Sequence, residues 1–204
     1  MKRKILIVED TPAIALVQKH IALKVGYEVD VAETLAQTKI LISQNNYFCA
    51  VVDFILPDAP NGEAVPCTIN AEIPTIVMTG SIDKKTRDTV EKFPIIDYII
   101  KENKQAYQYL EKQLKRLPRN ESVKVLVVDD SISTRHYIVS LLLRHKYQVS
   151  EAEDGKQALE MLAKSPDISV IITENEMPNM NGDELCSEIR RLYNNDEKAI
   201  IGIS

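Results

Sequence analysis

Apolar residues come in short runs separated by stretches with helical spacing. Residues 4–8, Lys-Ile-Leu-Ile-Val, form one such run and suit a parallel strand buried on both faces. Thr11-Pro12 then supplies a helix N-cap and a first-turn proline, Ile14, Val17 and Ile21 recur at helical spacing, and Gly26 is a helix stop. The same reading predicts strands at 27–32, 48–54, 74–79 and 97–100 and a helix at 35–42. A last helix, carrying Tyr107, Leu110, Leu114 and Leu117 on one face, is expected to end before Pro118. Buried strands alternating with helices predict an α/β fold built on a doubly wound parallel sheet.

The pattern then starts again. Lys4-Ile-Leu-Ile-Val-Glu-Asp-Thr11 returns as Lys124-Val-Leu-Val-Val-Asp-Asp-Ser131, 120 residues later. Tyr27-Glu-Val-Asp-Val-Ala-Glu33 returns as Tyr147-Gln-Val-Ser-Glu-Ala-Glu153 at the same offset. Asp53-Phe-Ile-Leu-Pro57 matches Glu174-Asn-Glu-Met-Pro178 after one inserted residue. The chain therefore reads as two copies of one unit: 1–117 complete, 118–122 a short polar linker, and 123–204 incomplete, with Ser204 aligned to Thr79 at the end of strand four.

Composition adds exclusions. With 45% hydrophobic and 27% charged residues the chain can build a sizeable core. No apolar run approaches the ~18 residues of a membrane span, and Glu9-Asp10 follows the basic N-terminus too soon for a signal-peptide core. Cys49, Cys67 and Cys186 form no paired spacing, which points to a reducing cytoplasm. A net charge of −5 argues against a nucleic-acid surface, and no glycine-rich phosphate loop supports nucleotide binding.

Doubly wound sheets bind ligands outside the carboxyl ends of their strands. In the first unit those ends present Glu9 and Asp10, then Asp53, Thr79 and Lys101. Three carboxylates in one crevice repel one another unless a cation is present, which is the requirement of an octahedral Mg²⁺ site. Lys101 adds a cation on the opposite wall; at about 4 Å and an effective dielectric near 20, one such pair is worth on the order of 4 kcal/mol before desolvation. Thr79 offers a hydroxyl to a phosphoryl oxygen. Together these groups would stabilise in-line phosphoryl transfer to an aspartate carboxylate.

At these residues the chain resembles the receiver domain of two-component response regulators, with the fold of the chemotaxis regulator. The resemblance implies two flavodoxin-like (βα)5 units with sheet order 2-1-3-4-5, the second truncated after strand four. Glu9-Asp10 is similar to the family's acidic pair, Asp53 to its phosphoacceptor, Thr79 to its switch hydroxyl, Tyr98 to its switch aromatic and Lys101 to its lysine. It implies that Asp53 accepts a phosphoryl group from a sensor histidine kinase or a histidine phosphotransfer protein. Mg²⁺ would be held by Asp10, Asp53 and the carbonyl of Ile55, with Glu9 beside them. Phosphorylation would then draw Thr79 inward and let Tyr98 rotate. The resemblance leaves homodimerisation open. Two departures stand out: Glu102 follows Lys101 where the family has proline, and 17 residues separate Gly62 from Thr79 against 22 from Gly182 to Ser204, so helix three is expected to be short in the first unit.

The second unit keeps Asp129-Asp130 but has Glu174 at the acceptor position. Glutamate adds one carbon–carbon bond, about 1.5 Å, which would push its carboxylate toward the phosphoryl position. This unit is expected not to be phosphorylated; Asp129, Asp130, Glu174 and Ser204 form a degenerate site, either imitating a partly activated state or marking a structural copy. A sheet stopping at strand four would leave an open edge, so the chain is expected to be cut from a longer one, with a diguanylate cyclase (GGDEF) output domain suggested by resemblance alone. Two rivals remain. A Mg²⁺-dependent aspartyl-phosphate phosphatase of the haloacid-dehalogenase kind would need D-x-D after the first strand, where this chain has Glu-Asp-Thr. A phosphate-independent interaction scaffold is the other.

Overall fold

The apolar runs of the first half become five parallel strands, β1 Lys4–Val8, β2 Glu28–Ala32, β3 Cys49–Asp53, β4 Thr75–Thr79 and β5 Asp97–Ile100, hydrogen-bonded in the order β2-β1-β3-β4-β5. Between them run α1 Pro12–Val25, α2 Leu35–Gln44, α3 Ala64–Asn70 and α4 Lys84–Val90, and α5 Lys104–Asn120 follows β5. The structure is a computed structural model that describes residues 2–80 and 84–203. Ser204, expected in the second site, lies outside the described residues.

The second half repeats the order as β6 Lys124–Val128, α6 Ile132–Arg144, β7 Gln148–Ala152, α7 Gly155–Lys164, β8 Ile168–Glu174, α8 Gly182–Leu192 and β9 Ala199–Ile203, with a four-stranded parallel sheet β7-β6-β8-β9. The chain divides into two compact units, Met1–Arg116 and Leu117–Ser204.

In the first unit, Leu6, Val8, Ala50, Val52 and Val77 pack in one cluster with Val65 and Val90 of the helices. The residues that alternate with them, Ile5, Ile7, Val51 and Ile76, are just as buried, as a sheet covered on both faces requires. Pro12 opens α1, and Gly26 ends it at φ 107°, its N–H bonded to the carbonyls of Ala22 and Leu23. Helix α3 has 7 residues against 11 in α8, the shortening read from the spacing.

The inserted residue of the second copy has a definite place. Lys124 pairs with Ile168 but Val125 with Val170, so Ser169 is left over as a bulge between β6 and β8. Beyond it the register realigns, and Glu174 pairs with Ile203 as Asp53 pairs with Met78.

One expected boundary moves. Helix α5 runs to Asn120 with Pro118 inside it rather than stopping before the proline. Proline cannot donate to the carbonyl four residues back. That carbonyl, on Leu114, instead accepts the Tyr27 hydroxyl at 2.8 Å.

Candidate functional site

Strand order brings the candidate residues of the first unit to one end of the sheet. Glu9 and Asp10 follow β1, Asp53 is the last residue of β3, Thr79 the last of β4, and Lys101 follows β5. The ladders extend into the site: the Glu9 N–H donates to the Ala32 carbonyl at 2.9 Å, and the Lys101 N–H to the Thr79 carbonyl at 2.8 Å. The Lys101–Glu102 peptide is trans.

At the centre lies a buried ion cluster. The Lys101 ammonium donates to Glu9 Oε2 at 2.5 Å and to Asp53 Oδ2 at 2.6 Å. Glu9 is 0% exposed, and the side chain of Lys101 only 5%. Burial pushes the Glu9 carboxyl above its ordinary pKa; the hydrogen bond and charge of Lys101 pull it down, and the charge of Asp53 raises it again. Each Asp53 oxygen has a donor, since Oδ1 accepts the Ile55 N–H at 3.3 Å. Ligand oxygens of Glu9, Asp10 and Asp53 lie within 4.8 Å of one another. Three carboxylates against one ammonium leave two negative charges uncompensated, and the donors are all hard oxygens. A divalent Mg²⁺ fits that set.

Thr79 is fully buried, and Tyr98 is half-buried against the core cluster, paired with Val77 across β4 and β5. Ile55, whose carbonyl is the expected third metal ligand, starts a loop folded by reciprocal bonds between Leu56 and Ala59. At Gly62, with φ 85°, a Cβ would fall 2.2 Å from the Phe54 ring, so the loop closes on the residue after Asp53 only with glycine there.

Two residues of this site are invisible to motif reading. Gln18 of α1 donates its amide to Glu9 Oε2 at 3.1 Å. Its Oε1 is the buried side-chain polar atom left without a partner among the described residues, a defect that costs about 1–3 kcal/mol. Asp58 accepts the N–H groups of Leu35 at 2.8 Å and Ala36 at 3.0 Å, tying the loop after Asp53 to the first turn of α2. A polar residue at an otherwise buried helical position is the signal that could have found Gln18.

The second unit does not rebuild the cluster. The Glu174 carboxylate, expected to reach toward the phosphoryl position, turns back on its own loop: Oε1 accepts the N–H groups of Asn175 at 2.7 Å and Glu176 at 3.3 Å. The extra methylene that lengthens the side chain also lets it fold onto the backbone. Asp129 is buried and accepts the Ser131 N–H at 2.8 Å, while Asp130 is exposed. Among the described residues Asp129, Asp130 and Glu174 form no convergent metal-ligand group like that of Glu9, Asp10 and Asp53.

The model of the response regulator receiver domain matches residues 5–114 and again 125–204. Over 83 residues the chain is 40% identical to a chemotaxis protein CheY homolog of Campylobacter jejuni, covering 40% of this chain and 64% of that protein. Over 66 residues it is 46% identical to the two-component response regulator ORR7 of Oryza sativa subsp. japonica, covering 32% of this chain and 31% of that one. The chain thus spans less than two thirds of either relative. A crystal structure of a two-component system response regulator/GGDEF domain protein superposes with a TM-score of 0.89 at 35% identity, over 100% of this chain and 83% of that one. No helix among the described residues is long and apolar enough to cross a membrane. The chain belongs to the response regulator receiver domain family of two-component signalling and carries that domain twice.

Proposed function

We propose that residues 1–117 are a phosphoaccepting receiver and that Asp53 is its acceptor, the remainder of the chain being a receiver-like copy that takes no phosphate. The observation that carries this reading is the Lys101 ammonium shared between Asp53 at 2.6 Å and Glu9 at 2.5 Å, with the Asp10 carboxylate beside them. The donor is the phosphohistidine of a sensor histidine kinase or phosphotransfer protein. A carboxylate oxygen of Asp53 bonds to phosphorus as the phosphorus–nitrogen bond breaks, and the imidazole leaves with the bonding pair and takes a proton from water. Asp10, Asp53 and the Ile55 carbonyl would hold Mg²⁺, which supplies charge neutralisation for the phosphoryl oxygens. Lys101 neutralises the charge that accumulates on the same oxygens, and the Thr79 hydroxyl is the nearby hydrogen-bond donor that reports the new group, with Tyr98 repacking behind it. The likeness to a response regulator/GGDEF domain protein supports a module that controls a diguanylate cyclase output, and the free Cys49, Cys67 and Cys186 suit a cytoplasmic one.

The test is incubation of the chain with acetyl phosphate and Mg²⁺ followed by intact-mass measurement. One phosphoryl group per chain is expected, absent in Asp53→Asn and unchanged in Glu174→Ala. No mass gain, or a gain retained in Asp53→Asn, would overturn the assignment.

A further inference from the structure

Gln18 occupies the middle of α1 at 1% exposure, alongside the helix's other buried residues Ala15, Ile21 and Ala22. Its amide nitrogen bonds Glu9 Oε2 and approaches the Met78 sulfur on β4 at 3.8 Å, while its oxygen has no partner. A core position of this kind is ordinarily filled by an aliphatic side chain, which leaves nothing unsatisfied. In the second copy, 120 residues on, the equivalent residue is the aliphatic Ile138, half-buried on α6. The copies differ together at two places, Glu9 with Gln18 in the first and Asp129 with Ile138 in the second. The polar side chain accompanies the longer acid and the intact ion cluster.

We infer that Gln18 is a positioning residue that sets how Lys101 is shared between Glu9 and Asp53. Glu9 is longer than aspartate and fully buried, so its carboxylate has freedom to swing and no water to satisfy it. With Gln18 and Lys101 both donating to Oε2, the ammonium is not drawn wholly onto Glu9 and keeps its second bond to Asp53. Without Gln18, Glu9 depends on Lys101 and the more distant Thr11 N–H at 3.4 Å, and the ammonium moves away from Asp53. The inference deepens the phosphoacceptor reading and rests on it.

The test uses the whole chain, with Gln18→Met and Gln18→Leu as two apolar replacements of similar size. Thermal unfolding without metal, calorimetric Mg²⁺ titration and the rate of mass gain from acetyl phosphate are measured for each. The melting temperature should hold or rise, because an unsatisfied acceptor has gone. The phosphorylation rate should fall about tenfold, the scale of lost outer-shell partners. Mg²⁺ should bind roughly twofold to threefold more tightly, since the ammonium no longer competes at Asp53. In a Glu9→Gln background Gln18→Met should change the rate no further. An unchanged rate in both variants, a slower rate accompanied by a lower melting temperature and unaltered Mg²⁺ affinity, or an equal loss in the Glu9→Gln background would overturn the inference. A wild-type chain that takes neither Mg²⁺ nor phosphate would overturn the phosphoacceptor reading and the inference with it.

Discussion

Asp58 shows how one exposed side chain can govern a site it never touches. Its carboxylate spans the N–H groups of Leu35 and Ala36, so the loop that begins at Asp53 is fastened to α2 rather than left to its own turn. Those bonds, with Leu35 foremost, hold its carboxyl below the ordinary value of 3.8. A folded-state pKa below the unfolded one means the contact adds stability above pH 3.8 and loses it as pH falls through the lower folded value. Carboxyl carbon NMR should therefore give Asp58 a midpoint below 3.8, with the Leu35 and Ala36 amides moving at the same pH; a midpoint at or above 3.8 would show that the tether does not form in solution. At this scale the sequence is uneven. Glu9, Asp10, Asp53, Thr79 and Lys101 were legible because each ends or directly follows a strand and parallel topology converts that rank into proximity. Asp58 and Gln18 were not: a loop acid beside prolines reads as solvated, and a glutamine interrupting an apolar helical face reads as one of its polar positions.

Among the elements, α5 is where chain propensity and tertiary context disagree. Pro118 should end a helix, yet the helix continues to Asn120 because the carbonyl that the proline strands is answered by Tyr27 from the turn after α1. Tyr27 is buried and stacks on Phe48 at 5.9 Å, so Tyr27→Phe keeps the ring packing and deletes the bond to Leu114. The expected loss is about 1–3 kcal/mol for an orphaned buried carbonyl, read as a lower denaturation midpoint with an unchanged slope. An unchanged midpoint would mean that water replaces the hydroxyl. The helix's far end was illegible for that reason: the rescuing group lies 87 residues away. Helix α4 was faint for another, since Lys-Lys-Thr-Arg-Asp-Thr-Val offers Val90 as its sole apolar anchor. The bulge at Ser169, by contrast, was announced by a one-residue slip in the repeat, and its position within the slip needed the strand register.

Across the whole molecule, two units of one fold have kept different amounts of chemistry. The first gathers three acids around a lysine; among the described residues of the second, Asp129, Asp130 and Glu174 do not converge, although the strand order and the register at the acceptor position are kept. Sheet geometry alone therefore does not make the site. A site needs the acid of the right length at each strand end, and Glu174 turns one oxygen onto two backbone N–H groups where Asp53 holds the Lys101 ammonium. Divalent metal should separate the two units. Calorimetry should give one Mg²⁺ per chain, and at 100 times its dissociation constant the bound state gains about 2.7 kcal/mol. Hydrogen exchange should place that gain in Met1–Arg116, strongest at the carboxyl ends of β1 and β3, with β6 and β8 unchanged. Chelation by EDTA should reverse it, and Asp10→Asn should abolish it without altering exchange in the second unit. Two metals per chain, or protection at Asp129 and Glu174, would show that the second unit assembles a site on binding and that its folded-back carboxylate is a resting position.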